Sequence, residues 1–130
     1  METLTLLMTG FAVAGSPMNL ALAALGAVVG TMVGVLPGLG PVNAVAMLVP
    51  VVFALGLPPE SSMILMASIY IGSEYGGRIS AILINVPGEA SAVMTALEGY
   101  PLSRQGLAGV ALSLSAWTSF LGSVLATVGI

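Results

Sequence analysis

The chain contains no cysteine and no histidine, and charge of either sign is scarce. Without thiols, disulfides and thiolate chemistry are excluded; without imidazole, the usual metal sites and the base of a nucleophilic triad are excluded as well. The only cations are Arg78 and Arg104, and all the acids are glutamates, so charged residues make up 5% of the chain. An ordinary soluble domain carries about 25%. The few charges stand singly and form neither a basic patch nor an acidic tail, so nucleic acid is not an expected partner. With no catalytic or metal-ligating constellation, the chain is not read as an enzyme.

What is abundant is apolar sequence. Thr3 to Pro59 and Gln105 to Ile130 carry no charged residue, and each run exceeds the ~20 residues that cross a hydrocarbon core. The expected class is an all-α, polytopic transmembrane protein with broken or re-entrant helices, residues 1–130 forming a single transmembrane domain in a lipid bilayer. Glu2, with no Lys or Arg beside it, departs from the basic start of a secretory signal peptide, so residues 1–16 are read as retained. The apolar run reaching Ile130 reads as part of a longer protein or as a small subunit ending at the membrane surface.

The organising stretch is Gly34-Val35-Leu36-Pro37-Gly38-Leu39-Gly40-Pro41. Proline lacks an amide hydrogen and clashes with the preceding turn, and glycine leaves the backbone unshielded, so this stretch should break a helix. Polar backbone freed at membrane depth is tolerated only against protein or a water-filled cavity, which is why such a break marks a candidate transport site. Leu4 to Ala14 is too short to span and reads as an interfacial or pre-helix segment. Ser16-Pro17 supplies an N-cap and a first helical residue, opening a span over 18–36. Gly26, Gly30 and Gly34 form one small-residue stripe on that helix. Beyond the break, 42–57 suits a half-helix or re-entrant arm carrying Asn43 and Pro50, its amide terminus facing the Pro37 to Gly40 loop as an anion site.

Residues 61–86 are expected as a third, interrupted segment, with the interruption at Gly72-Ser73-Glu74-Tyr75-Gly76-Gly77-Arg78. Were it one helix, Glu74 and Arg78 would share a face. Two readings of that pair stand side by side: mutual neutralisation, or Arg78 offering its planar fork to a substrate carboxylate. Val86-Pro87-Gly88-Glu89 is a second Pro-Gly break. Ala92 to Leu97 is expected as a short segment, Glu98-Gly99-Tyr100-Pro101 as a turn, and 107–130 as the last span.

Gly30 to Pro41, then Tyr75-Gly76-Gly77-Arg78-Ile79-Ser80-Ala81-Ile82-Leu83-Ile84-Asn85-Val86-Pro87-Gly88-Glu89, then Glu98-Gly99-Tyr100-Pro101 and Arg104-Gln105-Gly106, resemble the large membrane subunit of the tripartite tricarboxylate transporters, the TctA family. The resemblance implies a multi-pass secondary transporter of the bacterial inner membrane that receives an organic carboxylate from a periplasmic solute-binding protein. It also implies a small TctB-like membrane subunit as partner, and a sodium or proton gradient as the driving force. Arg78 stands where many relatives have a small hydroxyl or alanine.

The expected site joins the two interruptions: Pro37, Gly38, Gly40, Pro41 and Asn43 on one side, Ser73, Gly76, Gly77, Arg78, Ser80, Asn85, Pro87 and Gly88 on the other. Substrate carboxylates and the coupling ion would be held there by backbone groups and polar side chains, with Arg78 the first choice for a carboxylate. No cofactor is expected; the resemblance leaves room for a sodium site of backbone carbonyls, without a location. The rival readings are a structural subunit packed through its glycine stripes, and a passive channel.

Overall fold

A computed structural model describes residues 2–129, and these are helical almost throughout. Six α-helices follow in order: α1 (Glu2–Ala14), α2 (Pro17–Gly34), α3 (Gly40–Ala54), α4 (Pro59–Ile84), α5 (Val93–Arg104) and α6 (Ala108–Gly129), with one 3-10 turn at Ala90–Ala92. No strand occurs among the described residues. Of these helices, α2 and α6 are long and apolar enough to cross a membrane; α1 and α3 are apolar but shorter. The outward surface is itself apolar: α1 buries no residue, and on α6 Trp117 and Val128 are 64% and 81% exposed. Side chains of this kind are satisfied by lipid or by further protein.

α2 begins where Ser16 and Pro17 predict. The Ser16 backbone is extended and its hydroxyl accepts the Asn19 amide at 3.4 Å, satisfying one of the donors left free at a helix start. α2 and α4 then pack in parallel, and the seam between them fixes the fold. Gly26 lies against Leu65 and Ser68, Gly30 against Ile69, and Gly34 against Ser73, a step of four along both helices. From the other side, Gly72 lies against the Ala27 carbonyl, and Gly76 against Thr31 and the Gly34–Val35 peptide. A Cβ at Gly26 would come within 2.8 Å of Leu65 O; at Gly30 it would run into the Ile69 carbonyl. Only glycine lets the two backbones come this close.

α3 runs back down the same side. Ala44 and Val52 join Leu65 and Ile69 of α4 in the main apolar core, and the partly buried Leu22 and Val33 of α2 close it. At the far end, Asn19 ties the base together: its side-chain amide donates to Val13 O at 2.7 Å, and its oxygen accepts the Ser61 hydroxyl at 2.6 Å. Both residues are buried. A smaller core of Ala81, Ala92 and Ala96 joins α5 to the upper part of α4, where a Cβ on Gly99 would come within 2.7 Å of the Ile82 side chain.

Two expectations are corrected. The Gly72 to Arg78 stretch does not interrupt the segment: α4 is continuous over Pro59–Ile84. Each glycine there costs about 1 kcal/mol of helix propensity, and Gly72 and Gly76 are the positions at which the α2 backbone comes into contact. Glu98 to Pro101 is likewise no turn, since α5 runs through it with Pro101 inside. Gly99 is needed there for its contact with Ile82, and the Leu97 carbonyl that Pro101 deprives of an amide belongs to an exposed residue.

The seam yields a direct test. Gly30→Ala is expected to destabilise the full-length protein by about 1–3 kcal/mol, the range for overpacking. Gly10→Ala, where the added methyl meets nothing within 4 Å, should change little. Reversible unfolding in detergent measures both, and equal effects would dismiss the seam.

Candidate functional site

The first break forms where the sequence places it. α2 ends at Gly34, the chain turns through Gly38 (φ 85°) and Gly40 (φ 64°), and α3 starts with Pro41 in its first turn. Positive φ at both positions suits glycine and strains other residues. Within the turn, amides return to Thr31, Val33 and Leu36 carbonyls, and none returns to Gly34 O. Pro37 and Gly38 are exposed, Gly40 is half-buried, and Pro41 is buried.

The second break folds back to meet the first. Asn85 caps α4 in the left-handed conformation (φ 59°), its amide donating to Ala81 O at 3.1 Å, and the chain reverses. Gly88 thereby comes to rest against Gly77: a Cβ on Gly88 would lie 2.9 Å from the Gly77 Cα and 3.5 Å from Gly34 O. A Cβ on Gly40 would lie 3.8 Å from both Gly88 O and the Glu89 Cβ. Gly34, Gly40, Gly77 and Gly88 thus converge, and the two Pro-Gly loops face each other across the middle of α4. Ser73 sits on α4 beside Gly34; it is fully buried, and its hydroxyl has no hydrogen-bond partner among the described residues.

Not every expected residue joins this meeting point. Ser80 is buried but satisfied, donating to Gly77 O at 3.0 Å. Asn85 is exposed and serves as the helix cap. Pro87 is half-buried in the returning loop. Asn43 is exposed on α3, without a hydrogen bond among the described residues.

Arg78 lies elsewhere. Although Glu74 and Arg78 are four-residue neighbours on one continuous helix, no ion pair joins them. Arg78 instead lines a cavity of about 580 Å³ between α4, α5 and α6, to which none of the loop residues at the crossing contributes. Ile82, Gly99 and Ala111 form part of its apolar wall; Ser91, Thr95, Ser115, Thr118 and Ser119 bring hydroxyls, and Glu98 a carboxylate. Tyr75 braces the cavity, its hydroxyl donating to Leu112 O at 3.3 Å. Sequence reasoning missed these hydroxyls. Ala111, Ser115 and Ser119 recur every four residues, as Leu114 and Thr118 do, and that stripe was the available signal.

An all-helical chain in which α2 and α6 are long and apolar enough to cross a membrane, and in which a glycine seam between α2 and α4 brings two helix breaks together, has the features of a membrane-embedded protein. The particular family follows from comparison: the chain belongs to the Tripartite tricarboxylate transporter TctA family, whose pattern matches residues 20–130. It is also similar to an Agrobacterium vitis protein described as "Uncharacterized 52.8 kDa protein in TAR-I ttuC' 3'region". The two are 44% identical over 128 residues, covering 98% of this chain and 25% of the relative. The chain therefore spans about a quarter of that relative's length. No solved structure matches.

Two buried polar groups at opposite ends of the α2–α4 seam differ in a measurable way. Asn19→Ala strands the Ser61 hydroxyl and should lower stability by about 1–3 kcal/mol. Ser73→Ala removes a hydroxyl that has no partner and should leave stability unchanged or raise it. Unfolding of the two variants side by side decides; a large loss from Ser73→Ala would mean that its hydroxyl is bonded after all.

Proposed function

We propose that the chain is part of the membrane-embedded permease subunit of a tripartite transporter that takes up tricarboxylates or related organic acids. It works in the bacterial inner membrane as a multi-pass protein, receives substrate from a periplasmic binding protein, and pairs with a small membrane subunit. Uptake is driven by a sodium or proton gradient. Family membership supports the transport reading, and one structural observation carries the site: the two Pro-Gly breaks meet at Gly34, Gly40, Gly77 and Gly88, beside the buried, unpartnered hydroxyl of Ser73. Irregular backbone beside a broken apolar helix is the arrangement that lets a transporter bind a polar solute at membrane depth.

Asn43 fits the same reading. An amide facing outward from an otherwise apolar helix is costly against lipid, so it faces either further protein or the solute path. Within the first turns of α3 it stands next to the amide end that faces the crossing.

The experiment is uptake of radiolabelled di- and tricarboxylates by the full-length protein, reconstituted with its small subunit and binding protein under an imposed sodium or proton gradient. Asn43→Ala should leave stability unchanged and lower uptake by at least about tenfold, the effect of losing one hydrogen bond to a charged group. Unchanged uptake in that variant removes Asn43 from the site. Flux that persists after the gradient is collapsed turns the reading into a passive channel. Absence of uptake under every condition leaves a structural subunit.

A further inference from the structure

Arg78 is one of only two cations in the chain, and it reaches the α4–α5–α6 cavity without an ion pair or a hydrogen bond among the described residues. A guanidinium presents five donors in a rigid plane, and at least two remain available to any planar oxyanion that enters. Around the same cavity, Thr95, Ser115 and Ser119 carry hydroxyls without a hydrogen bond among the described residues, whereas Thr118 already donates to Leu114 O at 2.8 Å and Ser91 to the Glu89 carboxylate at 2.7 Å. Among the described residues the groups left without a partner are therefore one cation, three neutral donors and the Glu98 carboxylate. The cavity volume falls in the range of small-molecule sites, roughly 300–1,000 Å³.

We propose that this recess binds a single carboxylate group, Arg78 holding it through two parallel hydrogen bonds and the hydroxyls of Thr95, Ser115 and Ser119 completing its shell. Where the acid is the transported one, the proposal rests on the permease reading above; the binding itself does not. The charge balance sets the stoichiometry. One guanidinium neutralises one carboxylate, and the cavity's other ionisable group, Glu98, is a carboxylate that repels a second. A di- or tricarboxylate thus enters by one end, with its remaining charge directed away from Glu98. The crossing of the Pro-Gly loops contributes nothing to the recess lining, so this is a second place at which the chain meets an anion.

The same oxyanion chemistry occurs in an acidic lipid headgroup, and the test separates the two sources. Full-length protein is placed in nanodiscs of phosphatidylcholine, and direct binding of radiolabelled citrate, tricarballylate and succinate is measured. Arg78→Gln should weaken binding of these acids at least tenfold and Arg78→Lys by less, since lysine keeps the charge but loses the fork. Ser119→Ala, a milder change, should weaken it several-fold, which keeps the test open if Arg78→Gln misfolds. Glu98→Gln should tighten binding of the tricarboxylates more than that of succinate. Equal binding by wild type, Arg78→Gln and Ser119→Ala overturns the recess, as does failure of the wild type to bind any of the three acids. In discs containing phosphatidylglycerol, loss of retained acidic lipid on Arg78→Gln with acid binding unchanged assigns the recess to a headgroup and overturns the carboxylate. Arg78-dependent binding in a protein that shows no gradient-driven uptake upholds the recess and removes the permease reading. Uptake and binding that both ignore Arg78 do the reverse.

Discussion

The fold depends on one contact, the parallel approach of α2 and α4 through glycines that touch the facing backbone. In lipid, two helices gain little by hiding apolar side chains from each other, because the hydrocarbon they displace is as apolar as they are. What remains is close packing, in which each atom pair contributes only about 0.1–0.2 kcal/mol, so the attraction counts only where many atoms approach at once. Glycine at Gly26, Gly30 and Gly34 on one side, and at Gly72 and Gly76 on the other, makes that approach possible over the upper length of α2. Because the seam steps by four residues on both helices, it also fixes their register.

Register is what brings the two breaks together. Gly34 ends α2 against Ser73, so the loop leaving it emerges beside the middle of α4, not at its end. α4 continues past that point to Ile84, caps at Asn85, and sends the second loop back to Gly77. The loops face each other because α4 overshoots α2 and then reverses. Sliding α2 by one turn would separate Gly34 O from Gly88 and leave both loops without their backing. The helix-packing reading and the solute-site reading are therefore the same structure at two levels: the stripe sets the height at which the breaks meet.

The parts that were legible in the sequence were those with a local physical cause. Ser16-Pro17 capped α2, the Pro-Gly run ended it, and the small-residue stripe predicted close packing, each from chemistry contained within a few residues. The misreadings arose where a local cost was overridden from outside. Gly72 and Gly76 look like a break in isolation and become contact points once α2 lies against them. Glu98 to Pro101 has turn composition, yet Gly99 serves the approach of Ile82. Asn19 was passed over within an apolar run, although it is buried and holds the base of the bundle through Val13 and Ser61. Asn85 was expected in the site for its side chain, and the left-handed backbone by which it also ends α4 was not read from the sequence. The gathering of Thr95, Ser115 and Ser119 near Arg78 depends on α5 and α6 returning to α4, and no single stretch of sequence contains that information.

The continuity of α4 changes the meaning of the residues that were expected to interrupt it. Gly77 and Arg78 are adjacent, so they differ by about 100° around the helix and ~1.5 Å along it. That rotation sends Gly77 towards Gly88 and the crossing, and Arg78 towards the α5–α6 cavity. A broken segment would have left the two places independent of each other. A single unbroken helix holds them at a fixed distance and angle, so the chain's scarce positive charge is positioned by the same glycine seam that positions the loops. In a chain with two cations, one of them lining a cavity without an ion pair among the described residues, placing Arg78 is a specific structural outcome, and it follows from where Gly34 meets Ser73.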